Sequence, residues 1–355
     1  QCLTYRAMSY LYLSQVFEYK GTQTGQFVGL TVPKITETTT ELEAQNNPRL
    51  SHDEMYKFIE EDLLMAAEYL KGYTRGAKNE INEAVVQGLL ARMYLDKGAR
   101  FHDTEAYGKA AEYARKAIDK GGYTPLTEAQ WLDPKTGFNT PNNSWMWYVP
   151  QSPEGVTNLV NFVAWRSGEA TWGYGQLVQQ GVHVNFYNRM SDTDWRKRAF
   201  IGPDPDAWYE ANTAISNFNA ADFGVEKFSD YFSPYASVKF RPVNGETLDY
   251  KSGNPTSVCM MRVEEMILTE IEALAYTDPT TAAAKLKAFM LTRDPNYAFA
   301  GTTTEDVVAE AIWQKRVELW GEGIVFYDMK RLNYGIETGY VGTNVATDSR
   351  MKTDG

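Results

Sequence analysis

Cysteine is nearly missing from this chain. Cys2 and Cys259 stand far apart and form neither a CxxC nor any metal-type spacing, which argues against a disulfide framework. Three histidines, His52, His102 and His183, are scattered singly, so no His/Cys metal site is expected, and no cofactor. Long apolar runs are absent too: none approaches the roughly 20 residues that span a bilayer. Positive charge is in short supply, with 35 Lys and Arg against 46 Asp and Glu and a formal net charge of −11. Nucleic acid needs a basic face, so it is excluded as a partner, and electrostatic binding to anionic lipid is disfavoured. A neutral ligand or a basic partner fits this balance. The sequence shows no GxSxG, no P-loop and no HExxH.

What the chain does have is helical rhythm at both ends and an aromatic middle. A nearly continuous apolar helix is expected from about Leu3 to Tyr19, well buried. A polar loop follows. Ser51 or Asp53 then caps an amphipathic helix carrying Met55, Phe58, Ile59, Leu63, Ala66, Ala67 and Leu70. A third helix is expected from about Asn82 to Asp96, stopped by Gly98, and a fourth from about Asp103 to Lys120. Leu90, Ala91 and Tyr94 on the third, with Ala110, Ala114 and Ala117 on the fourth, match the tetratricopeptide spacing, apart from a long connecting loop. Two further pairs are expected: Leu3–Tyr19 with Ser51–Leu70, and Val258–Tyr276 with Thr280–Leu291.

These hairpins are interrupted by about 130 residues without helical rhythm, and that stretch is rich in tryptophan. Trp131, Trp145, Trp147, Trp165, Trp172, Trp195 and Trp208 all fall there, out of 9 in the chain. Long structured loops in compact proteins usually bind or act. In "SWMWYV", Trp145 and Trp147 share one face of a strand, with Met146 and Tyr148 on the other, and core packing is the plainer reading of Trp145. "WRSGEATWGYG" is different: Trp165, Trp172 and Tyr174 alternate with Gly168, Gly173 and Gly175. That is poor core material and suits a platform on which a sugar's C–H face stacks. Arg166, Asn158 and Glu169 are the nearby candidates for hydroxyl partners. Trp208, Tyr209, Tyr231 and Tyr235 form a weaker second set.

Several stretches, in this order, resemble the SusD-like (RagB/SusD) nutrient-uptake proteins: "YRAMSYLYLSQVFE", "MYKFIEEDLLMAAEYL", "AVVQGLLARMYLDKG", "AAEYARKAIDKGGYTPL", "MRVEEMILTEIEALAY" and "KRVELWGEGIVFYDMKRLN". The last two are the most specific, through Arg262, Glu264, Glu265, Leu268, Glu270 and Glu272 and through Arg316, Glu318, Leu319, Glu322, Gly323, Asp328 and Arg331. Ile324, Val325 and Lys315 depart from the pattern. The resemblance implies a mainly α fold with few short strands. Tetratricopeptide-like helix pairs over 1–122 and 257–333 would form the scaffold, and 123–256 a loop-rich ligand-binding insert. It also implies a surface lipoprotein of the Bacteroidetes outer membrane that binds oligo- or polysaccharide and passes it to a TonB-dependent (SusC-like) transporter. The chain opens at Gln1 without a leader, so the lipid anchor and first helices are expected outside this sequence, and the C-terminal tail is expected to be cut short. Cys2 is not read as the anchor.

Two alternatives remain at this point. One is a tetratricopeptide-type protein-interaction scaffold without a sugar site. The other, weaker, is a glycoside hydrolase, which needs two carboxylates facing each other across a sugar, roughly 5–10 Å apart. Glu318 and Glu322, taken as i,i+4 on one helix face, cannot straddle a substrate. With Arg316 and Arg331 nearby they read as a structural ion-pair network. Asp192 and Asp194 in "SDTDWRKR" also read as structural, and no catalytic residue is expected.

Overall fold

The computed structural model describes residues 1–18, 25–156 and 161–353. Four long helices open it: α1 (Cys2–Phe17), α2 (His52–Tyr69), α3 (Glu83–Phe101) and α4 (Thr104–Asp119). After the insert, which includes the short helix α5 (Phe162–Arg166), come α6 (Val263–Ala275), α7 (Pro279–Met290), α8 (Thr304–Glu318) and α9 (Val325–Arg331). Strands are few and short. β1 (Leu30–Pro33) pairs with β2 (Arg49–Ser51), β3 (Trp145–Val149) with β4 (Val258–Arg262), and β5 (Ile336–Glu337) with β6 (Lys352–Thr353), all antiparallel. The fold is mainly α.

The caps follow local chemistry. Ser51 closes a capping box with Glu54 at the start of α2, Asn82 accepts from the Val85 N–H at 3.1 Å, and Asp103 accepts from Glu105 and Ala106. These satisfy N–H groups that the first helical turn leaves open. The α3–α4 hairpin buries Leu90, Ala91 and Tyr94 against Ala110, Ala114 and Ala117. Gly98 does not stop α3, which runs on to Phe101. His102 takes the left-handed cap instead, with φ 52°, leaving a two-residue link where a long loop is expected from the sequence. Gly98 instead makes room for the neighbouring helix, since a Cβ there would come within 2.7 Å of the Tyr107 ring on α4.

Two other expectations need correction. Helix α1 buries one stripe, Thr4, Ala7, Leu11, Ser14 and Gln15, while Leu13, Val16 and Phe17 are exposed. Residues 258–262 are strand, not helix: they pair with Trp145–Val149, and α6 begins only after Arg262. Bulges between Trp145 and Tyr148 break the strand's alternation. Trp145, Met146 and Trp147 are therefore all buried, and the last two join the core of the helix pairs.

The insert has a core of its own. Trp131, Phe138, Trp195, Trp208, Phe228, Phe232 and Phe240 meet there with smaller apolar groups. A segment without regular stripes cannot assemble a core from many small residues at fixed spacing, so a few large rings supply the buried area. Three of the insert's seven tryptophans, Trp131, Trp195 and Trp208, are used in this way.

Candidate functional site

One tryptophan of the insert faces outward. Asn161 caps α5 by accepting from the Ala164 N–H at 3.2 Å, which fixes the start of the helix. Val163 and Ala164 turn inward, and Trp165 is left 46% exposed. The chain then folds back on itself. A Cβ at Gly173 would sit 2.7 Å from the Ala164 carbonyl oxygen, and one at Gly175 would strike the Ser167 backbone. The two glycines therefore let the return segment lie directly on α5. Between them, Tyr174 is brought flat against Trp165, with ring centroids 4.7 Å apart and planes 21° apart. Tyr174 is itself 38% exposed, so the pair presents a broad ring surface to solvent.

Arg166 follows Trp165 and is half-buried. It donates to the Gln180 side chain, and Gln180 donates back to the Trp165 carbonyl at 3.4 Å. Burial pulls the Arg166 guanidinium below its ordinary value. Arg166 also lines a cleft of about 660 Å³, together with Phe186, Arg189, Trp313, Arg316, Trp320, Phe326 and Tyr340. The cleft walls come from the insert, from α8 and α9, and from the segment after them. Asn344 ties that last wall down: it accepts from the Val184 N–H and donates to the Val182 carbonyl, each at 3.0 Å. The cleft is thus not confined to 123–256.

The remaining expected site residues are placed as follows. Glu169 is fully buried and accepts from Arg241 at 2.6 Å and from the Asn217 backbone and side chain at 3.0 Å. Its carboxylate is consumed inside the fold and does not reach a sugar hydroxyl. Trp172 is half-buried and turned toward Gly253, whose Cβ would meet the ring at 3.1 Å, so it does not join Trp165. Trp208 and Tyr209 both stack on Phe228, at 5.5 and 4.9 Å. Tyr231 packs edge-on against Phe223 at 4.6 Å, and Tyr235 packs edge-on against Tyr187 at 5.4 Å. Trp208, Tyr209 and Tyr231 belong to the insert core and Tyr235 to a separate cluster with Met190, Phe200 and Trp313, so the set does not form one platform. Asn158 lies outside the described residues.

The sequence reading missed Trp313, Trp320, Phe326, Tyr340, Arg189 and Arg316. Trp313 sits on α8 within a helical apolar stripe, where core packing is the ordinary reading.

The carboxylates expected to form an ion-pair network do form one, with different partners. Helix α8 ends at Glu318 and Gly321 turns the chain at φ 77°, so Glu322 is not on the same helix face. Glu318 accepts from Arg196 at 2.8 Å, Arg262 at 3.0 Å and Arg293 at 3.1 Å. Glu322 accepts from Lys239 at 2.6 Å and Arg262 at 2.8 Å. Arg331 instead bridges Glu272 and Asp328, and Arg316 stands in the cleft. Asp194 is held by Arg196 at 2.6 Å, and the exposed Asp192 by Lys197 at 2.7 Å.

No model of a protein family matches the chain, and no protein of curated function matches it. Solved structures do. A SusD-like carbohydrate binding protein from Bacteroides vulgatus ATCC 8482 matches with a TM-score of 0.72 at 23% identity, over 99% of this chain and 67% of that one. A SusD superfamily protein from the same organism matches with a TM-score of 0.68 at 18% identity, over 99% and 70%. A laminarin binding SusD-like protein matches with a TM-score of 0.61 at 17% identity, over 94% and 70%. The chain has the SusD-like fold and spans about two thirds of the length of these proteins. The resemblance carried by its motifs holds at the level of fold.

Proposed function

We propose that this protein binds an oligo- or polysaccharide on the Trp165–Tyr174 surface and in the cleft beside it, without cleaving it. The observation that carries this reading is the exposed ring pair, whose chain neighbour Arg166 lines a cleft walled by Trp313, Trp320, Phe326 and Tyr340. Flat ring faces suit the apolar C–H face of a sugar, and the cleft's Arg and Asn side chains suit its hydroxyls. The similar solved structures described as carbohydrate and laminarin binding support the same class of ligand. Against hydrolysis stand the partners of Glu318, Glu322 and Asp194: each of these carboxylates is engaged by cations inside the fold.

In this reading the helix pairs over 1–122 and 257–333 hold the 123–256 insert in position, and the scaffold also contributes one cleft wall. The protein is a surface lipoprotein of the outer membrane, anchored through a lipid outside this sequence, and it hands the glycan to a TonB-dependent (SusC-like) transporter. Among the described residues no helix is long and apolar enough to cross a membrane.

Calorimetric titration with a panel of oligosaccharides tests the binding. Saturable binding that is lost in Trp165→Ala, with no reducing ends released on long incubation, is expected; released product would overturn the non-catalytic reading. Fractionation of the full-length protein tests the location: recovery free in the cytoplasm would refute it, and co-purification with a β-barrel transporter from outer membranes is the expected result.

A further inference from the structure

The charge balance of the whole chain suits a neutral ligand, yet the cleft has the opposite sign. Among the described residues its lining holds Arg166, Arg189 and Arg316 against one carboxylate, Glu337. Glu337 already has a cation 3.5 Å away, Lys352. Elsewhere this acidic protein neutralises its buried arginines closely: Arg196, Arg241, Arg262, Arg293 and Arg331 each touch a carboxylate at 3.1 Å or less. The cleft arginines differ. Arg166 meets the Gln180 amide oxygen and lies 5.9 Å from the centre of the Phe162 ring. Arg316 makes no hydrogen bond or ion pair among the described residues and lies 6.0 Å from the rings of Phe186 and Trp313. Arg189 lies 4.2 Å over the Trp313 ring and shares Glu310, at 3.6 Å, with hydrogen bonds from Gln314 and Tyr297.

We propose that the glycan taken by this cleft is acidic, and that Arg166 and Arg316 receive its carboxylate or sulfate groups. The inference rests on the glycan reading above and names the ligand class for the same site. A guanidinium against an aromatic wall loses part of its hydration without gaining a counter-ion, and an incoming anion supplies one. Its planar fork matches a carboxylate or sulfate in two parallel hydrogen bonds, which are shorter and stronger than bonds to a neutral hydroxyl. A concave wall of low polarity focuses that field. A neutral sugar would satisfy some of the same N–H groups and leave the charge standing.

The experiment uses a printed array of oligogalacturonates, alginate and carrageenan oligosaccharides, with laminari-, cello- and xylo-oligosaccharides as the neutral members. Titration of the array's strongest binder follows, before and after its acid groups are neutralised. Methyl esterification removes carboxylate charge and desulfation removes sulfate, so the treatment that abolishes binding identifies the source. Arg166→Gln and Arg316→Gln should each weaken binding of the acidic form by roughly tenfold or more, the scale of a charge-assisted hydrogen bond, and Arg316→Lys should restore part of it. Melting curves check the fold, and exposed Arg316 can be replaced without disturbing the core. Binding confined to neutral glycans, or affinity indifferent to esterification, desulfation and both Gln variants, would overturn the acidic ligand and leave the glycan reading intact. No binding to any member would overturn both.

Discussion

Trp165 and Tyr174 stack face to face at 4.7 Å while both keep a large share of their surface in solvent. Such a pair contributes little to the core, and in the proposed reading it carries the sugar. Trp165→Ala should weaken glycan binding by roughly thirtyfold, about 2 kcal/mol, as truncation of a stacked ring at a binding centre does. Its melting temperature should hardly move. Trp145→Ala, which empties a fully buried site, should cost about 3–5 kcal/mol of stability. Calorimetric titration paired with a melting curve for each variant reads both; a Trp165→Ala protein that binds normally but melts early makes the ring a structural one.

Glu169 gives the opposite test. Its carboxylate is the acidic partner of Arg241, itself buried, and also holds Asn217. Removing it strands a guanidinium away from water, a loss that typically costs about 3–5 kcal/mol. Glu169→Ala should therefore unfold at lower denaturant concentration. A variant of unchanged stability that has lost only glycan affinity would return Glu169 to the ligand surface.

Acid should unfold the protein through its central charges. Burial alone would raise the Glu318 carboxyl, but Arg293, Arg262 and Arg196 outweigh it and hold the group well below the usual carboxylate range. Burial likewise opposes, and Arg262 and Lys239 overcome, in Glu322; Lys315 and Arg331 do so for Asp328. A carboxyl lowered in the fold takes up its proton first in the unfolded chain. The stability it supplies is complete above the ordinary values of 4.5 for Glu and 3.8 for Asp and is lost as pH falls below them. Melting temperatures followed from pH 7 to pH 3 should begin to fall near pH 4.5, and more gently in Glu322→Gln. A flat profile down to pH 3 would mean that these pairs add no net stability.

How much of this was legible in the sequence depends on the kind of constraint. Helices α2, α3 and α4 announce themselves because one buried face imposes a stripe and Ser51, Asn82 and Asp103 cap their ends. The exposure of Trp165 and Tyr174 was readable from Gly173 and Gly175, since glycines beside rings mark backbone that must come close. Glu169 defeats a local reading because its partner, Arg241, lies 72 residues away and no local pattern reports such a pairing. Trp208 and Tyr209 are hidden for a related reason: a core assembled from irregular segments has no period. The cleft could not be seen at all, because Arg166, Arg189 and Arg316 are brought together by the fold and not by spacing.

Gly98 offers a case in which two physical effects predict opposite signs. It lies inside α3, where alanine is favoured over glycine by about 1 kcal/mol. Helix propensity alone therefore predicts that Gly98→Ala stabilises the protein. Packing predicts the reverse. The new methyl would sit 2.7 Å from the Tyr107 ring, and that ring is stacked on Tyr276 at 3.7 Å with planes 5° apart. Tyr107 cannot retreat without breaking the stack or parting α3 from α4. Overpacking of this kind costs about 1–3 kcal/mol, so the net change should be destabilising. Replacing the ring decides between the two accounts. In a Tyr107→Ala background the clash is gone, and Gly98→Ala should become neutral or stabilising. Denaturant titrations of the two single variants and the double variant measure this directly. If Gly98→Ala stabilises the protein with Tyr107 in place, the close approach of α3 to Tyr107 is not what keeps glycine at that position.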